Sequence, residues 1–274
     1  MDKQEGRELT GCLVRCKSDD NDSQRDGLGE GRMKERPILF GREMVRAIID
    51  GRKTQTRRVI KTNHVMNVTH YQNKDSDRSI WKPYCGQVGG VPERKCPYGE
   101  IGDQLWVRET FKVGAWRDEG TKPPRIACDY KASPELVNTP WCYPTVQEYT
   151  KKILKVVNEL DKKGIEPEEG GAKRIYHWEP GKSPLNWRPS IFMPRWASRI
   201  QLEITDVRVE RVQDITANDI VAEGCLRENT EINKALGIWI TLWNSINEGH
   251  GYGWNVNPWV WVVEFKREDT ELKK

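Results

Sequence analysis

A lysine and a threonine three residues apart, Lys53 and Thr56, stand inside the run Gly51-Arg52-Lys53-Thr54-Gln55-Thr56-Arg57-Arg58. A threonine hydroxyl becomes a nucleophile once a neighbour takes its proton, and a neutral lysine amine is one group that does so. A lysine's ordinary pKa of about 10.4 leaves little neutral amine at pH 7. Burial and nearby cations both disfavour the charged form, and Arg52, Arg57 and Arg58 are placed to supply that repulsion. Positions three apart share a face on a helical turn but oppose each other on a strand. Chemistry joining Lys53 to Thr56 therefore needs a bent segment. The plainer reading of so basic a run is a solvated turn.

The neighbouring elements must hold this run in place. Met44, Val45, Ile48 and Ile49 fall on one face of a helix. Gly51 stands where a helix commonly stops, because glycine enters the left-handed region without a Cβ penalty. Ahead of the helix, Arg36-Pro37-Ile38-Leu39-Phe40 reads as a short strand that begins soon after Met33, the expected natural start. Residues 1–32 combine Asp, Glu, Gly, Ser and Arg with no apolar periodicity and read as a disordered N-terminal extension.

Composition narrows the classes. The chain has 274 residues, enough for one large domain or two small ones. Hydrophobic content is 36% against 31% charged, but 12 tryptophans carry much of the burial a core needs. A net charge of +4 does not make a polycation, so a nucleic-acid preference must come from a local patch. The seven cysteines form no paired framework and no apolar run reaches membrane-spanning length, so a reduced, cytoplasmic protein is expected. Cys85 and Cys96, with His64, His70, Cys128 or Cys142, are the residues that could build a zinc site, but no CxxC pair is present. Free thiols are expected there, with no metal and no cofactor.

Along the chain, residues 62–98 are polar and irregular. Gly102-Asp103 makes a turn into a strand over 104–110, where apolar and polar residues alternate around Trp106. Residues 112–190 read as an insertion and as the least regular part, with one helix over 146–160 placing Ile153, Val156, Val157 and Leu160 on a face. Ile200, Leu202, Ile204, Val207, Val209 and Val212 then alternate, interrupted at Thr205-Asp206. That pattern predicts two strands or one bent strand with a bulge. Thr216 is the expected N-cap of a short helix with Asp219 in its first turn and Gly224 at its end. A helix over 236–246, a strand over 259–265 apolar on both faces, and a charged tail at 268–274 complete the chain. Strands joined by turns favour an α+β fold built on a small mixed barrel.

This order of elements resembles the ASCH family, a PUA-like β-barrel class associated with RNA. The resemblance rests on the helix, the Gly-x-Lys-x-x-Thr-x-Arg run, the Gly-Asp turn, the valine-rich strands, the Thr-capped helix ending in Glu-Gly and the aromatic Val-Glu-Phe strand. Trp187-Arg188-Pro189-Ser190-Ile191, Met193-Pro194-Arg195-Trp196-Ala197-Ser198-Arg199 and Asn257-Pro258-Trp259 look closest to the phage- and prophage-encoded branch. The resemblance covers about 34–267, loosely within 112–190. It implies a PUA-like mixed β-barrel from 33–111 and 191–267, short flanking helices and a large irregular insertion.

Members of the family that deacylate acetylcytidine use a lysine, a threonine three residues on and a glutamate in the later capped helix. Carried across, the resemblance implies Lys53 as base, Thr56 as nucleophile and Glu223 as proton donor to the departing exocyclic nitrogen. Arg58 matches the family arginine. Glu223 serves as an acid if an apolar pocket raises its pKa, or pairs with an arginine instead; both readings stand. The expected substrate-binding set is Arg52, Arg57, Arg58, Asp103, Trp106, Arg195 and Trp196, with Arg42 and Arg46 adding to a basic face and Trp196 the stacking candidate. The expected partner is nucleic acid, RNA ahead of DNA, or a modified nucleoside, in a bacterial host cytoplasm and with no membrane. A non-catalytic reader of RNA or modified phage DNA, a ribonuclease and a phage morphogenesis protein are the alternatives. For the last, the residues supply no physical reason.

Overall fold

The computed structural model describes residues 33–61, 70–73, 80–84, 93–118, 122–133, 141–168, 176, 178–179, 181–225 and 232–268. The expected extension 1–32, His64, Cys85 and the tail beyond residue 268 lie outside them. In chain order the first elements are β1 (Glu35–Leu39), α1 (Arg42–Ile49), β2 (Gln55–Val59), β3 (His70–Asn73), β4 (Ile80–Tyr84), β5 (Arg94–Lys95) and β6 (Gln104–Arg108). Then come β7 (Phe111–Arg117), β8 (Arg125–Tyr130), β9 (Trp141–Cys142), α2 (Val146–Lys162), β10 (Gln201–Arg211), α3 (Ala217–Ala222), α4 (Ile232–Asn247) and β11 (Trp259–Arg267).

The central sheet runs β1-β6-β10-β11-β2, with β1 parallel to β6 and every other pair antiparallel. Its organising strand is β11, apolar on both faces as its composition predicts. Trp261, Val263 and Phe265 enter a core with Val45 and Ile48 of α1, whereas Val260 and Val262 enter another with Ile220 of α3 and Trp239 and Trp243 of α4. A strand buried on both sides must be apolar at successive positions, and this one is. The alternating run is one strand, β10, whose register shifts between Ile204 and Asp206. The extra residue bends the strand where the apolar pattern breaks.

The α+β class holds, but no sheet closes into a barrel among the described residues. β1 and β2 remain edges of the central sheet. A side chain spans them instead of a backbone ladder: Arg58 Nη2 donates to the Leu39 carbonyl at 2.6 Å and its guanidinium lies 5.2 Å from the Phe40 ring. The basic run is not a turn throughout. From Gln55 it is strand β2, buried at its first three positions by pairing with β11.

Residues 62–98, expected to be irregular, include the small sheet β3-β4-β5. The region expected to be least regular carries the antiparallel sheet β7-β8-β9 and a helix of 17 residues. Phe111, Val113, Ile126, Cys128 and Tyr130 pack there with Tyr149, Val156 and Leu160 of α2 into a separate core. Thr145 begins α2 with a reciprocal capping box to Glu148.

Candidate functional site

Glu223 reaches Lys53 because the end of α3 is brought unusually close to the start of β2. Thr216 caps α3, its hydroxyl accepting from the Asp219 N–H at 3.2 Å, and Glu223 terminates the helix. Gly224 follows with φ +72°, and a Cβ there would fall 2.7 Å from Lys53 Cβ and 2.8 Å from Ala47 Cβ. Only glycine satisfies both the left-handed backbone and the contact. Lys53 then forms an isolated antiparallel bridge with Glu223, and Thr54 N–H donates to the Ala222 carbonyl at 2.8 Å.

The Lys53 side chain completes the junction. Its Nζ donates to Glu223 Oε2 at 2.8 Å, the Glu223 carbonyl at 2.9 Å and the Gln55 carbonyl at 2.7 Å. An ammonium has three donors, and all three are used. Arg57 Nη1 lies 3.3 Å from Glu223 Oε1, so each oxygen of the carboxylate faces a different cation. Of the two readings left open for Glu223, the geometry gives the ion pair. Lys53 is 2% exposed, Thr56 3% and Glu223 3%, so these charges are matched in the interior, where an unmatched one is costly.

Arg57 extends the network to Glu210 at 3.1 Å and Asp219 at 3.2 Å. Arg208 joins it through Asp219 at 3.0 Å and through Glu264. Burial pushes the Asp219 carboxyl up, but hydrogen bonds from Thr216, the Arg57 charge and Gln55 overcome it and bring it down to about 2. Cys225, beside Glu223, is held up to about 11 by burial and the Glu223 charge, with Lys53 offsetting part of the rise. A thiol so held is not a thiolate at neutral pH, which leaves Thr56 as the hydroxyl of interest.

Register fixes where Thr56 faces. Opposed residues of an antiparallel pair share a sheet face. Thr56 opposes Val263 and Arg58 opposes Trp261, on the α1 side; Arg57 opposes Val262, on the α3 side. Lys53 lies before β2 and escapes that alternation. Its Nζ is 5.6 Å from the centroid of the same Phe40 ring that Arg58 covers, on the side Thr56 faces. Lys53 and Glu223 are in contact, and no hydrogen bond joins Thr56 to either among the described residues.

The expected substrate-binding residues do not gather around this junction. Arg52 is there, donating to the Gly224 carbonyl at 3.1 Å and pairing with Asp50 at 2.8 Å. Arg57 has no exposed side-chain surface and is not open to a phosphate. Asp103 serves its turn, accepting from Lys34 N–H at 2.9 Å and Glu100 N–H at 3.1 Å. Trp106 is buried in β6 under the Arg108 guanidinium at 4.7 Å, and Arg195 grips Glu35 at 2.7 and 3.1 Å. Arg46 donates to the Ala132 carbonyl at 2.6 Å, while Arg42 is exposed.

Trp196 lies elsewhere again, lining a cavity of about 480 Å³ beside α2 together with Lys151, Lys152 and Lys155. Those lysines were not among the expected site residues, although their i, i+1, i+4 spacing on a predicted helix was the available signal. Cys96 is buried and its thiol pushed up to about 11 by that burial. Among the described residues no group of three His, Cys, Asp or Glu side chains is arranged to hold a metal ion, and no helix is long and apolar enough to cross a membrane. Compared with known proteins, the chain matches no family model, no curated protein and no solved structure.

Proposed function

We propose that this chain is an ASCH-type hydrolase that removes an acyl group from a modified pyrimidine nucleoside, with Thr56 as nucleophile. The observation that supports it is the Lys53–Glu223 contact, 2.8 Å long between residues 170 apart in sequence. Those are two of the three positions that the resemblance to acetylcytidine amidohydrolases implies. The open five-stranded sheet, with the end of β1 joined to β2 through Arg58, stands in this reading for the PUA-like barrel.

The chemistry assigns Glu223 a different part from the one the sequence suggests. Held between Lys53 and Arg57, it is the proton acceptor for the Lys53 ammonium rather than the initial acid. Transfer across the 2.8 Å contact gives the neutral amine that accepts the Thr56 proton. The Thr56 oxygen takes the acyl group as the protonated carboxyl returns its proton to the departing nitrogen. A water then hydrolyses the acyl-threonine ester, releasing the carboxylic acid and restoring the hydroxyl.

The test is direct. Purified full-length chain incubated with N4-acetylcytidine releases cytidine, read by chromatography. Thr56→Val lowers kcat by about 100-fold or more, and Thr56→Ser, which keeps the hydroxyl, restores part of it. Absence of cytidine release from the unmodified chain ends the proposal. Removing Arg57 and Arg58 together does not discriminate the rival reading of a non-catalytic binder. With Arg57 interior and ion-paired, that variant reports on folding instead.

A further inference from the structure

The Lys53–Glu223 junction leaves the cavity beside α2 unexplained. Glu148, Lys151, Lys152, Lys155, Val156 and Glu159 recur at spacings of three and four, so one face of α2 forms a wall of it. Leu185, Phe192, Pro194 and Trp196 supply an apolar and aromatic wall. Phe192 is 69% exposed, an unusual position for so large an apolar ring.

The charges along this face are not balanced. Glu148 is committed to the capping box, accepting from Thr145 N–H at 2.9 Å and the Thr145 hydroxyl at 2.7 Å. Glu159 is committed to Arg188 at 2.8 Å, Asn186 N–H at 2.6 Å and Lys163 at 3.4 Å. Among the described residues Lys151 and Lys155 have no hydrogen-bonding or ion-pair partner. Lys152 rests its ammonium 4.9 Å from the Phe111 ring centroid and makes no ion pair among the described residues. Burial, with Arg188 and Lys155 adding to it, holds the Lys152 amine below its ordinary range, against opposing pulls from Cys128 and Glu159. An anion delivered to this spot meets three lysines that make no ion pair among the described residues.

We propose that the α2 cavity binds a nucleoside monophosphate unit, its base against Trp196 and Phe192 and its phosphate on Lys151, Lys152 and Lys155. A purely apolar ligand leaves the lysines unmatched, and inorganic phosphate leaves the aromatic wall unused. A planar base carrying a phosphate uses both. The volume of about 480 Å³ is of the order that small-ligand pockets have. The unit is available as a free nucleotide or within an RNA strand, and the same lysines and rings serve either. The site shares no residue with the Lys53–Glu223 junction, so it does not depend on the deacylation reading.

Titration calorimetry on the full-length chain tests it, with cytidine 5′-monophosphate, cytidine, inorganic phosphate and a five-nucleotide RNA as probes. The monophosphate binds about tenfold or more tightly than cytidine or phosphate alone. Lys151→Ala with Lys155→Ala, both exposed and without a hydrogen-bonding or ion-pair partner among the described residues, weakens it by about tenfold. Phe192→Ala, on an exposed ring, weakens the monophosphate but not phosphate. Tighter binding of the RNA assigns the unit to a strand and tighter binding of the monophosphate assigns it to the free nucleotide; either supports the site. No monophosphate binding at millimolar concentration, equal affinity for phosphate alone, or indifference to the double lysine variant overturns it. Cytidine release by a chain that binds no monophosphate removes this site alone, and the reverse result removes the deacylase alone.

Discussion

At the edge of the central sheet, Lys53, Arg57 and Arg208 are each met by carboxylates, whereas along α2 Lys151 and Lys155 face a cavity with none to spare. The residue types are similar and the environments are not. Around β2 the side chains are nearly inaccessible, and a cation there is tolerated only with a matched anion. On α2 Lys151 and Lys155 are exposed, so neither requires an internal partner. The first cluster holds the fold together and positions a candidate reaction. The second is free to meet a ligand.

That contrast is open to measurement. Glu223→Ala leaves Lys53 and Arg57 short of an anion in the interior and is expected to destabilise by about 3–5 kcal/mol in urea unfolding. Lys155→Ala, on the other cluster, is expected to stay within about 0.5 kcal/mol. Comparable losses for the two would erase the distinction. Gly224→Ala forces a side chain into the left-handed backbone and against Lys53, and is expected to cost about 2 kcal/mol or more. Thermal melts of this variant read the stability, and loss of deacylation in folded protein reads the displaced Glu223.

Acid sharpens the same comparison. The Asp219 carboxyl is lowered from 3.8 to about 2 in the folded chain, so its contribution is complete above the unfolded value and fades as pH falls toward about 2. Asp219→Asn, which keeps a capping oxygen, should flatten stability between about pH 4 and pH 2. The smallest effect belongs to α2. Lys152→Met removes a half-buried amine that makes no ion pair among the described residues and should stabilise by up to about 1 kcal/mol. With Lys152 in place, its lowered amine makes stability rise with pH toward its ordinary value of 10.5, and the variant should lose that rise.

Much of the central sheet could be read locally. Gly51 and Gly224 both adopt positive φ, Thr216 caps α3 as its spacing to Asp219 indicates, and β10 bends where Thr205 interrupts the apolar alternation. Each signal lies within a few residues of what it determines. The strand character of β2 was hidden because Thr56, Arg57 and Arg58 are all polar, so alternation between the two faces shows no hydrophobic period. Only its pairing with β11 reveals it. In the 112–190 region, Ile126, Cys128 and Tyr130 do alternate inward, but the partner strand is interrupted by a bulge beside Gly114, and the Pro- and Lys-rich surroundings suggested loop. The union of Lys53 with Glu223 came from resemblance, since no local pattern links positions 170 apart. The further partners of Arg57, on β10 and α3, had no signal at all. They are ordinary acidic residues until the fold brings them together.

The pairing of β2 with β11 has a consequence for biosynthesis. On a ribosome adding about 5–20 residues per second, Lys53 is made about 10–30 s before Glu223, and β11 follows later still. Through that interval the nascent chain carries β2 without the strand that covers it. High contact order of this kind slows folding and prolongs exposure to chaperones, so translation speed and holdase supply are the levers that set how much chain matures.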